Sequence, residues 1–156
     1  MSSSSSAIPF VYRLFFLYIE PLLALAGAYY AAIQPSSYLH ELLPFAPSYH
    51  TPPPGVAGPP ATPTLMALHQ LANLYLLFAL NEHFVLASTD ALRTWKTLLA
   101  GLLVADAGHL VSMVPAGRRA FEVWAVGFVY LGAGMRVCFL MGVGLGETKV
   151  EREKGG

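Results

Sequence analysis

Four long apolar stretches, separated by short polar connections and one proline-rich loop, constrain this chain more than any other feature. They run roughly from Phe10 to Ile33, Leu65 to Ala87, Thr97 to Val114 and Val123 to Gly146. Each holds about 18–24 residues, which at ~1.5 Å per residue crosses a ~30 Å hydrocarbon layer. Backbone groups in lipid must find partners within their own segment, so the stretches are predicted to be helices. The expected fold is all-α, a four-transmembrane-helix bundle. The composition agrees: 55% of the 156 residues are hydrophobic and only 12% are charged, about half the charged fraction of a soluble domain. The net charge of zero leaves no broad basic face for nucleic acid.

The remaining chain is connection and tail. Residues 1–9 open with a serine tract and are expected to be disordered, and residues 147–156 form a charged C-terminal tail. The loop 34–64 begins with a segment, Ser37 to Leu43, suited to an interfacial helical turn or two. It continues into a proline-rich tract from Thr51 to Pro63 that reads as an extended, stiff spacer. The first stretch is read as a retained helix, not a cleaved leader. Its only basic flank is Arg13, and Glu20-Pro21 interrupts a run that a leader would keep uniformly apolar.

Lysine and arginine placement predicts the orientation. Four crossings put Arg13, Arg93, Lys96, Lys149, Arg152 and Lys154 on one side and only Arg118 and Arg119 on the other. The bias places both termini in the cytoplasm. Trp95, Trp124, Tyr12 and Tyr38 fall near span ends, where interface anchors stand.

Ionisable residues within lipid are costly and usually face the bundle interior. Here they are Glu20 in the first span, Glu82 and His83 in the second, Asp106 and His109 in the third and Arg136 in the fourth. Counting the helical rise puts Asp106 and Arg136 at matched depths, about 14 Å from the cytoplasmic boundary, with His109 one turn deeper and Asn73 at about the depth of His109. Glu20 and Glu82 lie nearer the cytoplasm, at roughly 8–9 Å. The count therefore predicts two polar layers, one of Asn73, Asp106, His109 and Arg136 and one of Glu20, Glu82 and His83. Candidate catalytic residues are Glu20, Glu82, Asp106 and His109, as acids, bases or a proton relay. Candidate ligand-binding residues are Asn73, Glu20 and Arg136. The structural alternative is that these groups set helix register through ion pairs and hydrogen bonds, with His69, Gln70 and Asn73 as interhelical glue. Near the interface, Glu82 and His83 could instead snorkel to water. Pro21 frees a carbonyl one turn back, which beside Glu20 would shape a polar pocket.

Other features have plainer explanations. No metal-ligand spacing occurs, so no metal is expected, and no cofactor motif is present. Cys138 is read as a packing residue. Gly142-x-Gly144-x-Gly146 resembles a phosphate loop but lacks the preceding strand, and reads as a helix C-terminus. Ala24, Gly27, Ala28 and Ala31 make a small-residue face suited to close helix packing.

Several motifs together resemble a known family. They are Arg13-x-x-Phe-Phe-x-x-x-x-Glu20-Pro21, Gln70-Leu-Ala-Asn73-x-Tyr75, Asn81-Glu82, Asp106-Ala-Gly-His109 and Gly132-x-Gly-x-Arg136. This set is similar to a fungal family of small four-span integral membrane proteins classed as a domain of unknown function, across nearly the whole chain. The resemblance implies a fold and a membrane, and no activity. By size alone the chain is also similar to the sterol isomerase-like membrane bundles. Two functions are expected to compete. One is binding of membrane lipid, a hydrophobic small molecule or a membrane partner. The other is a cofactor-independent isomerase or cyclase acting on a sterol or terpenoid by acid/base chemistry. A proton or ion carrier is a third possibility and would need a continuous polar path.

Overall fold

The computed structural model describes residues 8–42, 60–114 and 124–145, with the side chains of 124 and 125 excepted, and these residues are helices joined by turns. The elements are α1 (Phe10–Leu14), a π-helical segment (Phe15–Ile19), α2 (Glu20–Ile33), α3 (Pro35–Leu42), α4 (Thr62–Ala87), α5 (Leu92–Ser112) and α6 (Trp124–Leu140). No strand occurs among the described residues. The serine tract, most of the proline-rich tract, Arg118 and Arg119, and the C-terminal tail lie outside them.

A helix overlaps each apolar stretch, though α6 stops at Leu140, short of the expected Gly146, and local chemistry sets the ends. α1, the π segment and α2 form one continuous rod over Phe10–Ile33. Helix α4 begins three residues before the expected Leu65, with Pro63 in its first turn, where a missing N–H costs nothing. Helix α5 begins at Leu92, earlier than the expected Thr97, because the turn before it is held by side chains. The Ala91 N–H donates to Thr89 Oγ1 at 3.0 Å, and the Trp95 indole N–H donates to Thr89 O at 2.9 Å. Helix α6 ends at Leu140 in a Schellman cap. Gly142 N donates to Phe139 O at 3.0 Å and Val143 N to Cys138 O at 2.9 Å, with Gly142 at φ 83° where glycine is favoured. Of these helical stretches, Phe10–Ile33 and Thr62–Ala87 are long and apolar enough to cross a membrane. Helix α5 is long but carries Arg93, Lys96, Asp106 and His109, and α6 is apolar but has only 17 residues.

α2 packs along α4, and α5 along α6. The small-residue face of α2 explains the first pairing: Ala31 is buried, and a Cβ built on Gly27 would lie 3.4 Å from the Tyr75 ring. An aromatic core of Tyr12, Phe16, Trp95 and Phe139, with Leu86 and Leu99, joins the first rod to α4, α5 and α6. The Tyr12 and Phe139 rings meet edge-on at 5.1 Å. Two of the expected interface aromatics are therefore core residues. Trp95 is fully buried, and Tyr12 donates its hydroxyl to Val143 O at 2.8 Å. That bond and the Arg13–Asp90 ion pair bring the start of α1, the α4–α5 turn and the end of α6 to one end of the bundle.

Many large apolar side chains face outward, and two charged ones are wholly enclosed. Glu82 and Arg136 are 0% exposed, whereas Leu22, Phe84 and Val104 are 64%, 63% and 73% exposed. Cys138 also faces outward, so it is not a packing residue.

Candidate functional site

Glu20, the first residue of α2, stands directly after the π segment. The N–H of Glu20 donates to Phe15 O, five residues back. Pro21, next along, has no N–H to give to Leu17 O, the carbonyl an α-helix would pair with it. His83 on α4 takes that carbonyl: its Nδ1 lies 2.7 Å from Leu17 O, the distance of a hydrogen bond donated by the ring N–H. The carbonyl freed by Pro21 thus ties the first rod to α4. It does not line a pocket beside Glu20, as the sequence had suggested.

Arg136 reaches from α6 to three other helices. Its Nη1 donates to Asp106 Oδ2 on α5 at 2.6 Å, and its Nη2 donates to Glu20 Oε1 at 2.7 Å. Glu82 Oε1 on α4 lies 3.5 Å from the same Nη2. The rings of Phe16 and Phe78 flank the guanidinium at 5.9 and 5.6 Å, within cation–π range. Gly132, one turn before Arg136, makes room for the group. A Cβ there would meet Glu20 Oε1 at 2.7 Å and Arg136 Nη1 at 3.0 Å, so a larger residue would push the carboxylate off the α6 backbone.

The cluster is not satisfied by its own members. Glu20 Oε2, both carboxylate oxygens of Glu82 and Arg136 Nε are buried without a hydrogen-bond partner. A buried polar atom left unpaired costs about 1–3 kcal/mol. With all three acids ionised the formal charge of the four side chains is three negative against one positive, an imbalance that low-dielectric surroundings penalise strongly. The Glu20 and Asp106 side chains retain 13% and 14% exposure while Glu82 and Arg136 have none. The site therefore reaches the surface along its Glu20–Asp106 edge. What it presents there is buried carboxyl oxygens that lack hydrogen-bond donors.

The two polar layers expected from depth are one cluster here. Arg136 bridges them, joining Asp106 to Glu20 and Glu82. His109 stands one turn beyond Asp106 on α5 and is half-buried. Asn73 is not part of the site; it is exposed on the opposite side of α4. Glu82 is wholly buried and does not snorkel. The roles of Gly132 and of the Phe16 and Phe78 rings escaped sequence reasoning. The Gly132-x-Gly-x-Arg136 spacing was the available signal for the glycine; no local pattern marks Phe78. Among the described residues, no group of three or more His, Cys, Asp or Glu is arranged to hold a metal ion.

A smaller polar contact lies toward the other end of the bundle. The Tyr38 hydroxyl on α3 and the Tyr75 hydroxyl on α4 are 3.0 Å apart. Burial, and then the neighbouring Tyr75, push the Tyr38 phenol well above its ordinary range.

Among known protein families, the model of one described as Domain of unknown function (DUF7704) matches residues 5–146. No curated protein and no solved structure matches.

Proposed function

Because the chain belongs to the DUF7704 family, which carries no activity to transfer, we propose a function from the geometry alone: a four-span membrane protein whose Arg136 cluster binds the polar head of a lipid-like small molecule. The outward apolar surface supports the membrane. Val104 and Phe84 are among many large apolar side chains that face outward, while Glu82 and Arg136 are wholly enclosed. An exposed apolar surface of this extent suits lipid. Helix α5 would cross with Arg93 and Lys96 at its cytoplasmic end and Asp106 turned into the bundle. Helix α6 spans about 25 Å, and the turn at 141–144 extends it. The shared end formed by Tyr12, Asp90 and Val143 would face the cytoplasm, as the lysine and arginine bias favours.

The observation that carries the binding reading is Glu82, fully buried with neither carboxylate oxygen hydrogen-bonded, beside Glu20 Oε2 in the same state. A hydroxyl or protonated amine at the head of a lipid-like guest would donate to these oxygens, while its apolar body stayed in the bilayer. Lipid extraction of the purified protein followed by mass analysis tests this. One amphiphile is expected to co-purify, with its recovery falling about tenfold or more in Glu82→Gln, since a hydrogen bond to a charged group contributes about 1.5–3 kcal/mol. An identical lipid profile in wild type and variant would sink the reading.

One feature favours the enzymatic alternative. Glu20 and Glu82 approach the same Arg136 nitrogen and keep spare oxygens, as a donor and an acceptor of protons in a sterol or terpenoid isomerisation would. Recovery of the amphiphile as two isomers, reduced to one in Glu20→Gln or Glu82→Gln, would select it.

A further inference from the structure

The outward face of α4 is patterned for contact. Met66, Gln70, Asn73, Leu77, Leu80 and Phe84 succeed one another at alternating spacings of four and three, and every one is exposed. This is the spacing of a helix–helix seam with a period of 3.5 residues. The face is apolar except for Gln70 and Asn73, with His69 at its edge, and it carries no charge. None of these three polar residues makes a hydrogen bond with a described residue. Asn73 stands about 17 Å from the Thr62 end of α4 and about 21 Å from the Ala87 end, close to the middle of a bilayer. An amide facing hydrocarbon there would forfeit all its hydrogen bonds at a cost of several kcal/mol.

We propose that a second copy of this chain covers this face, forming a parallel two-fold dimer in which the Asn73 and Gln70 amides pair across the seam. The proposal rests on the membrane reading above. The chemistry of the face selects a second copy over an unlike partner. Each carboxamide is both donor and acceptor, so it can satisfy its own counterpart, which a carboxylate or an ammonium cannot do. Copies of one membrane protein share an orientation, so a two-fold axis along the membrane normal sets every residue of α4 beside itself at equal depth. Leu77, Leu80 and Phe84 supply the packing surface. Two amides on successive seam positions fix the register, as a buried asparagine does in coiled coils. The seam is on the face of α4 opposite Glu82, so the dimer leaves the Arg136 cluster intact.

Cysteine cross-linking in native membranes tests the proposal. In a Cys138→Ser background, Leu77→Cys is expected to give an oxidised dimer of the chain, whereas Val104→Cys on α5 is expected to remain monomeric. Adding Gln70→Leu and Asn73→Leu should reduce the cross-linked fraction about tenfold at equal expression, equivalent to about 1.4 kcal/mol of association free energy. Retention in the membrane after alkaline carbonate, with no Leu77→Cys dimer, would overturn the dimer and leave the membrane reading standing. So would cross-linking to a different protein, or undiminished dimer in the leucine variant. Release of the chain by carbonate would overturn the membrane reading and the dimer together.

Discussion

Glu82 and Asn73 share one apolar helix, about two and a half turns apart, and therefore face opposite ways. Glu82 is at 0% exposure among Glu20, Asp106 and Arg136, and Asn73 is exposed with no hydrogen-bond partner among the described residues. On the primary sequence the two residues give the same signal, a polar group in a hydrophobic run. What separates them is rotation about the helix axis, which composition does not record. The pair teaches that a polar residue in an apolar helix has two possible settings. The inner one is taken up by an ion-pair cluster within the fold. The outer one, under the dimer proposed above, would be met by a second copy.

The sharpest way to break this contrast is to remove the centre of the inner set. Arg136→Met is expected to lower bundle stability by about 3–5 kcal/mol, because three carboxylates lose their common counter-charge. Thermal unfolding in monomeric detergent micelles measures it, and Asn73→Leu in the same assay should leave stability unchanged. An equal loss in both variants would erase the distinction between the faces. A double change sharpens it further. Asp106→Asn combined with Arg136→Gln should cost less than the sum of its parts, since the two are bonded at 2.6 Å. Simple additivity would mean that the contact is energetically silent.

A smaller effect is expected from Gly132→Ala, about 1–3 kcal/mol, because the new methyl would displace Glu20 Oε1 from 2.7 Å. The corresponding change at Gly134, where a Cβ meets nothing within 4 Å, should be neutral or slightly stabilising in unfolding. A reversed order would show that α6 does not lean on Glu20. The smallest effect belongs to Tyr38→Phe, about 0.5–1.5 kcal/mol for one hydrogen bond. The Tyr38 phenol is raised above its unfolded value near 10. Its contribution should thus be complete below pH ~10 and decline as the pH rises above that. An unfolding series from pH 7 to 11 on wild type and Tyr38→Phe reads the difference. Parallel curves would exclude Tyr38 as the source.

Much of the scaffold was legible because hydrophobic length is a one-dimensional property. The run from Phe10 to Ile33 has the same bounds as the α1–π–α2 rod, and α4 departs from its expected start by three residues. Matched depth likewise joined Asp106 to Arg136, since rise along an axis can be counted. Depth counting failed where lateral position decided. It set Asn73 beside His109 and gave no reason to exclude it, because a count of rise says nothing of which neighbour a face meets. It separated Glu20 and Glu82 from Arg136 by about one turn, and the long arginine side chain closes that gap. Trp95 was read as an interface anchor from its place near a helix end. Its ring instead packs 5.8 Å from Phe139, because the α4–α5 turn folds it inward through the bond to Thr89.

The π segment before Glu20 changes how this chain tolerates a shift in length. One residue more per turn than an α-helix alters the angular relation between α1 and α2. Tyr12 and Phe16 on one side and Glu20 on the other all point inward across it. The segment absorbs one extra residue, so deleting a single residue between Phe15 and Ile19 together with a return to ordinary helical bonding would leave Tyr12 and Glu20 in nearly the same phase. Straightening the segment into an α-helix at unchanged length would instead rotate Tyr12, with its tether to Val143, by about 100° relative to Glu20. In effect the segment acts as a phase key: a relative of this protein can lose one position there only along with the π bonding, and it cannot give up the π bonding at full length and keep the aromatic core and the charged cluster on the same side.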